Sequence, residues 1–436
     1  MSRCCDWAGG PGEYSPHRAG SVRVNALPEP VLDNDDVLLD VIVIGAGQAG
    51  LSAAGHLARK GVKAWAGFVV LDANDGPGGA WRHRWDSLTF DRAHGIHDLP
   101  GVPLGTPDPR EPASQVVIRY YGAYESGLDL PIIRPVPVSC VEHDAGVFTV
   151  KAEDGRRWRA RAVINATGTW DSPYVPYYPG IADFGGRQLH TRGFTAAEDF
   201  IGQNVLVVGG GTSALQFLLQ LDAAGARTVW TTRRTPNWTG PVQNVDWGVA
   251  VEAMVADRTT RGLPPLSVSA VTGIPLNDQY REGLESGVLV SRGRLNRITA
   301  DGVVLDGPGP DGRGVPSQGS FADGLLLRVG PDRVRRLPGR AASCASSDPS
   351  ANSDRVWETP IDTILWATGF RATLNHLSAL RIREPGGGVK LAQDGVAVLK
   401  VPGLFLVGYG ASASTIGATR AGRKAAVASL RRVRAS

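Results

Sequence analysis

The sequence predicts an α/β protein built on two Rossmann-like dinucleotide-binding units. A glycine turn at Gly45–Gly50 lies between an apolar strand and an amphipathic helix. The same strand–turn–helix–strand order returns about 160 residues later, at Gly209–Ala214. Two further apolar strands run into one tripeptide, at Ala166-Thr167-Gly168 and Ala367-Thr368-Gly369. Repetition of a βαβ unit in one chain implies a duplicated, doubly wound architecture.

Composition bounds the rest. A chain of 436 residues carries two to three domains at roughly 150 residues each. Hydrophobic residues at 42% and charged residues at 20% describe an ordinary globular protein with ample core. The 46 basic and 42 acidic residues leave a net charge of +4, too small to argue for nucleic acid or an anionic membrane. Cys4, Cys5, Cys140 and Cys344 form no CxxC pair, which excludes a zinc ribbon and a dithiol redox centre. No apolar run approaches the length of a membrane span, and a reducing cytoplasm is the expected compartment. The 56 glycines exceed the usual share and should be local.

The elements follow in order. Residues 1–36 lack any sustained period and read as an extension. Asp40 to Ile44 is a strand, and a helix follows from about Gln48 to Lys60 with Leu51, Ala54 and Leu57 on one face. Phe68 to Leu71 is the return strand. In the second unit, Asn204 to Val208 is a buried strand, Ser213 to Ala224 a helix and Thr228 to Thr231 the return strand. Leu404 to Val407 is a last strand, ending at Gly408 before a helix from about Ser414 to Leu430. Residues 307–354, dense in Gly, Pro, Ser and Arg, read as an insertion.

Each glycine turn has a chemical reason. In Gly45-x-Gly47-Gln48-x-Gly50 the first glycine makes the turn, the second lets backbone approach a pyrophosphate and the third packs helix on strand. The helix N-terminus supplies free N–H groups and a positive dipole end. Asp72 closes the return strand where an acid can hold both ribose hydroxyls. The second turn, Gly209-x-Gly211-Thr212-Ser213-Ala214, ends instead in Arg233-Arg234, whose guanidiniums suit a 2′-phosphate. The expectation is tightly held FAD at the first site and exchanging NADPH at the second.

Further motifs then identify a resemblance. Gly78-Gly79-Ala80-Trp81-Arg82 reads as GGxWR, and Phe184-x-Gly186-x3-His190-x3-Phe194 as FxGxxxHxxxF. With the Ala-Thr-Gly strand ends, the strand into Gly408 and the helix through Ser414–Arg423, these motifs resemble the flavin-containing monooxygenases over about residues 38 to 430. The resemblance implies an NADPH domain inserted into an FAD domain. Residues 37–168 would be the first part of the FAD domain, 169–360 the NADPH domain with the 307–354 insertion, and 361–436 the second FAD part. It implies cofactor contacts at Gly79, Trp81, Thr167, Gly168, Thr368, Gly369 and Gly408, no metal, and His190 in a structural role.

The implied reaction is NADPH reduction of FAD, then O2 addition to a C4a-(hydro)peroxyflavin that oxygenates a small molecule at nitrogen or sulfur, or hydroxylates it. The implied assembly is open to homodimerisation. Baeyer–Villiger monooxygenases are the sister reading, but here Phe194 is followed by Thr195, and no Tyr/Phe-Pro-Gly follows the GGxW. An NADPH oxidase or cofactor-bound protein is the non-oxygenating alternative. Where many family members carry an asparagine beside the flavin, this chain has Asp91, which can accept hydrogen bonds or act as a base.

Overall fold

The computed structural model describes residues 34–93, 96–240, 255–266, 273–306, 357–413 and 415–435. The 1–36 extension is thus outside the described residues up to residue 33, and the 307–354 insertion lies wholly outside them.

Two sheets organise the chain, the first mixed with a parallel centre and the second parallel throughout. In the first, β1 (Asn34–Ile44) lies between β2 (Phe68–Leu71) and β6 (Arg157–Asn165), all parallel. The short β3 (Ile132–Ile133) extends the sheet beyond β2. β4 (Val138–Asp144) and β5 (Val147–Ala152) form an antiparallel hairpin beyond β6. The second edge of β6 is shared: Arg157 to Ala160 pair with β5, while Val163 to Asn165 pair with β16 (Leu404–Leu406). Helix α1 (Gln48–Arg59) buries Leu51, Ala54 and Leu57 and ends before Gly61 at φ +79°.

Helix α2 (Ala113–Gly127) adds Tyr121 and Tyr124 to the same core. The second sheet repeats the plan. β8 (Asn204–Val208) lies between β9 (Arg227–Thr231) and β15 (Thr363–Trp366), with β7 (Arg187–His190) on the far side of β15. Helix α3 (Thr212–Ala223) follows β8 and buries Leu215, Phe217 and Leu218.

β15, within the 361–436 segment expected as the second FAD part, is an interior strand of the second sheet with neighbours on both edges. A fully buried Thr-Ile-Leu-Trp strand reads alike in either sheet, so pattern alone does not decide its membership. A small antiparallel sheet joins β12 (Leu295–Ile298), β13 (Gly302–Leu305) and β14 (Trp357–Pro360). The insertion therefore connects two paired neighbours, β13 and β14. The pair β10 (Trp238–Thr239) and β11 (Ile274–Pro275) and helix α4 (Asp278–Glu285) complete this region.

Helix α5 (Thr415–Ala435) lies against α1. The approach is close because Gly422 has no side chain: a Cβ there would meet Ala49 O at 2.6 Å and Ser52 Cβ at 2.7 Å. Ser52 Oγ donates to Thr419 O at 2.7 Å across the same seam. The predicted helix start at Ser414 lies outside the described residues.

Candidate active site

Both glycine turns are built the same way. Gly45 N–H donates to Leu71 O at 2.7 Å, and Gly209 N–H to Thr231 O at 3.1 Å. Ala166 N–H donates to Ile44 O, and Ala367 N–H to Val208 O, each at 2.8 Å. A Cβ on Gly45 would sit 2.7 Å from Ala166 O, and one on Gly209 would sit 2.1 Å from Ala367 O. Each Ala-Thr-Gly tripeptide thus lies directly on the first glycine of a turn, which explains why the tripeptide occurs twice. Trp230, buried beneath the second turn, donates its indole N–H to Gly209 O at 2.7 Å.

The turns fit a dinucleotide. Gly50 is required by packing, since its Cβ would lie 1.8 Å from Gly45 O. Gly47 is not: its φ of −84° is ordinary, and a Cβ would meet nothing within 4 Å. That open space in front of the turn is where backbone would receive a pyrophosphate. α1 begins at Gly47 and α3 at Gly211, and neither N-terminus has a side-chain cap or an acidic residue in its first turn. Thr212 and Ser213 are half-buried at the start of α3. Uncapped N–H groups at a helix start form an anion site. Gly79, at φ +53°, lies against the first turn, where a Cβ would come 2.8 Å from Gly47 Cα.

Asp72 is buried at the end of β2. Its Oδ1 accepts from Ala46 N–H at 3.4 Å and from Asn74 Nδ2 at 3.3 Å, and its Oδ2 accepts from Arg134 Nε at 2.7 Å. Arg134 also grips Glu125 with both terminal nitrogens, at 2.7 and 2.8 Å. Burial pulls the Arg134 guanidinium down, but its bonds to Glu125 and Asp72 outweigh that and raise it. Sequence reasoning missed Arg134 and Glu125: neither belongs to a turn motif, and only the fold brings them to Asp72. Arg233 and Arg234 are exposed past β9, with no carboxylate partner among the described residues.

Several expected ligand side chains have other duties. The Gln48 amide donates to His97 O at 3.1 Å and Thr419 Oγ1 at 2.8 Å, and accepts from Tyr121 OH at 2.5 Å. Only its backbone is free to face a cofactor. Thr167 Oγ1 donates to Thr373 O at 2.7 Å, and Thr368 Oγ1 donates to Tyr174 O. These hydroxyls tie together two linkers that run side by side between the sheets. Thr373 N–H donates to Gly168 O at 2.9 Å, Tyr174 N–H to Gly369 O at 3.0 Å and Arg371 N–H to Ser172 O at 2.8 Å. Gly168, Gly369 and Gly408 all have positive φ, at +62°, +80° and +72°. His190 locks the same linker through Nε2 and Gly369 O at 2.9 Å.

A second bridge runs through the segment after GGxWR. Trp81 is half-buried and packs against the cores of both sheets. Trp85 is buried against Phe194 and Phe217, with ring centroids 5.5 and 5.0 Å away. Asp91 is exposed in the single turn Phe90–Arg92, where its carboxylate accepts from the Thr89 hydroxyl. Its neighbour Phe90 lines a cavity of about 500 Å³, with His97, Ile416 and Arg420 on the other walls. Among the described residues no cluster of His, Cys, Asp and Glu could hold a metal ion, and no helix is long and apolar enough to cross a membrane. Cys140, on β4, is the cysteine that falls within them.

Residues 42–261 match the family model described as pyridine nucleotide-disulphide oxidoreductase. A flavin-containing monooxygenase from Stenotrophomonas maltophilia superposes with a TM-score of 0.67 at 31% identity, over 92% of this chain and 99% of that one. Indole-3-pyruvate monooxygenase YUCCA1 of Oryza sativa subsp. japonica is 33% identical over 197 residues, which is 44% of this chain and 48% of that protein. The uncharacterized oxidoreductase CzcO of Bacillus subtilis (strain 168) is 29% identical over 185 residues, 42% of this chain and 52% of that protein. The chain spans about half the length of these curated relatives. A Lactococcus lactis thioredoxin reductase, at 17% identity and TM-score 0.56, shares the fold.

The architecture is that of a two-domain flavoprotein oxidoreductase, with FAD and NADPH as the cofactor pair. Within that class, the chain belongs to the flavin-containing monooxygenase family.

Proposed function

We propose that the chain is an FAD-dependent, NADPH-consuming monooxygenase that inserts one atom of O2 into a small organic substrate, by N- or S-oxygenation or a related hydroxylation. The balance is substrate, O2, NADPH and a proton giving oxygenated substrate, NADP+ and water. The observation that carries the reading is the pair of uncapped glycine cradles, each abutting one of two cross-bonded linkers. The full-length likeness to a flavin-containing monooxygenase supports it. The name of the rice relative, an indole-3-pyruvate monooxygenase, brings 2-oxo acids into the substrate range.

FAD supplies the redox chemistry when bound: hydride acceptance and O2 activation. The chain's residues bind, orient and exclude water. Gly45, Gly47 and the start of α1 would receive the FAD pyrophosphate, and Asp72, steadied by Arg134, the ribose. Gly209, Gly211 and the start of α3 would receive the NADPH pyrophosphate, and Arg233 and Arg234 its 2′-phosphate. Trp81 and Trp85, packed against the sheet cores, would limit the access of water to the junction. Asp91 follows Phe90 of the cavity wall, and Asp98 lines that wall itself, so these two carboxylates are the acids near enough to exchange a proton with a substrate held there.

The test is anaerobic addition of NADPH to the purified yellow protein, followed by product profiling with an amine, a sulfide and a ketone under air. Flavin bleaching with N- or S-oxide formation is expected. No bleaching overturns the reading, an ester from the ketone alone assigns a Baeyer–Villiger enzyme, and stoichiometric peroxide with every substrate assigns an oxidase. Asp91→Asn should lower turnover tenfold or more while leaving anaerobic flavin bleaching unchanged; unchanged turnover returns Asp91 to its loop.

A further inference from the structure

Arg84 has an environment that no partner among the described residues explains. It follows the 3₁₀ turn Gly79–His83, and its guanidinium carbon lies 4.3 Å from the Trp170 ring centroid and 5.8 Å from those of Trp81 and Trp85. Its Nε is sealed from solvent with no hydrogen-bond partner, while the residue as a whole stays partly exposed. No carboxylate among the described residues pairs with it. The nearby acids are engaged elsewhere: Asp75 pairs with Arg82 at 2.9 Å, Asp72 with Arg134 at 2.7 Å, and Asp86 is exposed and accepts from Ser114 Oγ at 3.5 Å. Burial alone pushes the guanidinium down to about 10, so it remains a cation at neutral pH.

A shielded cation without a countercharge is costly, and ring faces offset only part of that cost. Two more donors in the same cluster are idle, the buried indole N–H groups of Trp85 and Trp170. The cluster also sits where ligands of doubly wound sheets bind. Trp170 follows Gly168 past the carboxyl end of β6, and it stacks at 5.1 Å on Phe370, which follows Gly369 past the carboxyl end of β15. Phosphates have their own receptors in the two uncapped helix starts.

The geometry points to Arg84 as the anchor for an organic carboxylate, received by the guanidinium with the ligand's apolar body against Trp81, the partly exposed ring of the cluster. This rests on the monooxygenase reading only in calling that carboxylate the substrate; the binding site itself does not depend on the reaction. A neutral amide of the same shape would leave the cation unpaired and bind weakly, which is the basis of specificity here.

The experiment titrates the holoenzyme with benzoate, phenylacetate and 2-naphthoate, and with their amides, reading tryptophan fluorescence and the flavin difference spectrum. At least one acid should quench saturably and bind tenfold or more tighter than its amide. Arg84→Gln and Arg84→Met, their folding checked by near-UV circular dichroism, should lose that preference while keeping NADP+ affinity within twofold. The proposal is overturned if no acid binds the wild type better than its amide, or if both variants keep the preference. It is equally overturned if the variants lose NADP+ or FAD affinity tenfold with acid and amide unaffected, which would make the anion a nucleotide phosphate. Flavin that NADPH fails to bleach would sink the monooxygenase reading and leave these binding results standing.

Discussion

Arg134→Met is the substitution whose cost the structure bounds best. The guanidinium makes one bond to Asp72 and two to Glu125, all between 2.7 and 2.8 Å. The side chains are 13%, 5% and 11% exposed respectively, so water cannot replace the lost cation. Methionine keeps much of the volume and leaves two carboxylates shielded and unpaired. Removing one partner of a buried ion pair costs about 3–5 kcal/mol, a large share of a total that is typically about 5–15 kcal/mol. Urea unfolding followed by near-UV circular dichroism, with FAD in fixed excess, measures the loss. Adding Glu125→Gln should recover at least about 1 kcal/mol, because the pair is coupled and the energies do not add. A loss below about 1 kcal/mol for Arg134→Met would refute the argument that this cation is what permits Asp72 to be buried.

Gly47→Ala should leave thermal stability unchanged and weaken FAD binding tenfold or more, whereas Gly50→Ala should fail at folding, since only the second Cβ meets backbone; flavin fluorescence on titration separates them. Gly422→Ala should cost about 1–3 kcal/mol by forcing α5 off α1, read as a lower melting temperature. Arg233→Ala with Arg234→Ala should erase a preference for NADPH over NADH in the rate of anaerobic flavin bleaching; a retained preference assigns the phosphate elsewhere. Burial takes the His376 imidazole from 6.5 down to about 4. Its folded value lies below the unfolded one, so its contribution is intact above pH 6.5 and is lost as pH falls toward 4, by about 3 kcal/mol in all. His376→Gln should flatten that part of the stability–pH curve.

The turns were legible because their chemistry is local. Gly45, Gly50 and Gly209 are glycine for reasons that lie within a few residues or one strand away, and the helices they start have period 3.6. Gln48 and Thr167 were legible as positions but not as roles. Their side chains point to Thr419 and Thr373, partners hundreds of residues distant that no spacing announces. Arg134 and Arg84 stayed hidden for a related reason. One gains meaning from Asp72 and Glu125, the other from Trp170, and only the fold supplies those neighbours. The membership of β15 was ambiguous because a fully buried strand advertises burial and nothing else.

The interior position of β15 and the shared edge of β6 bear on how the protein comes off the ribosome. A nascent chain extruded only as far as residue 306 carries both glycine turns, yet β8 has an open flank until Thr363–Trp366 emerge, and β6 has half an open flank until Leu404–Leu406 do. Both nucleotide cradles are therefore finished late and nearly together. Neither half should survive as a separately expressed fragment, and FAD should be captured by the completed chain rather than during its synthesis.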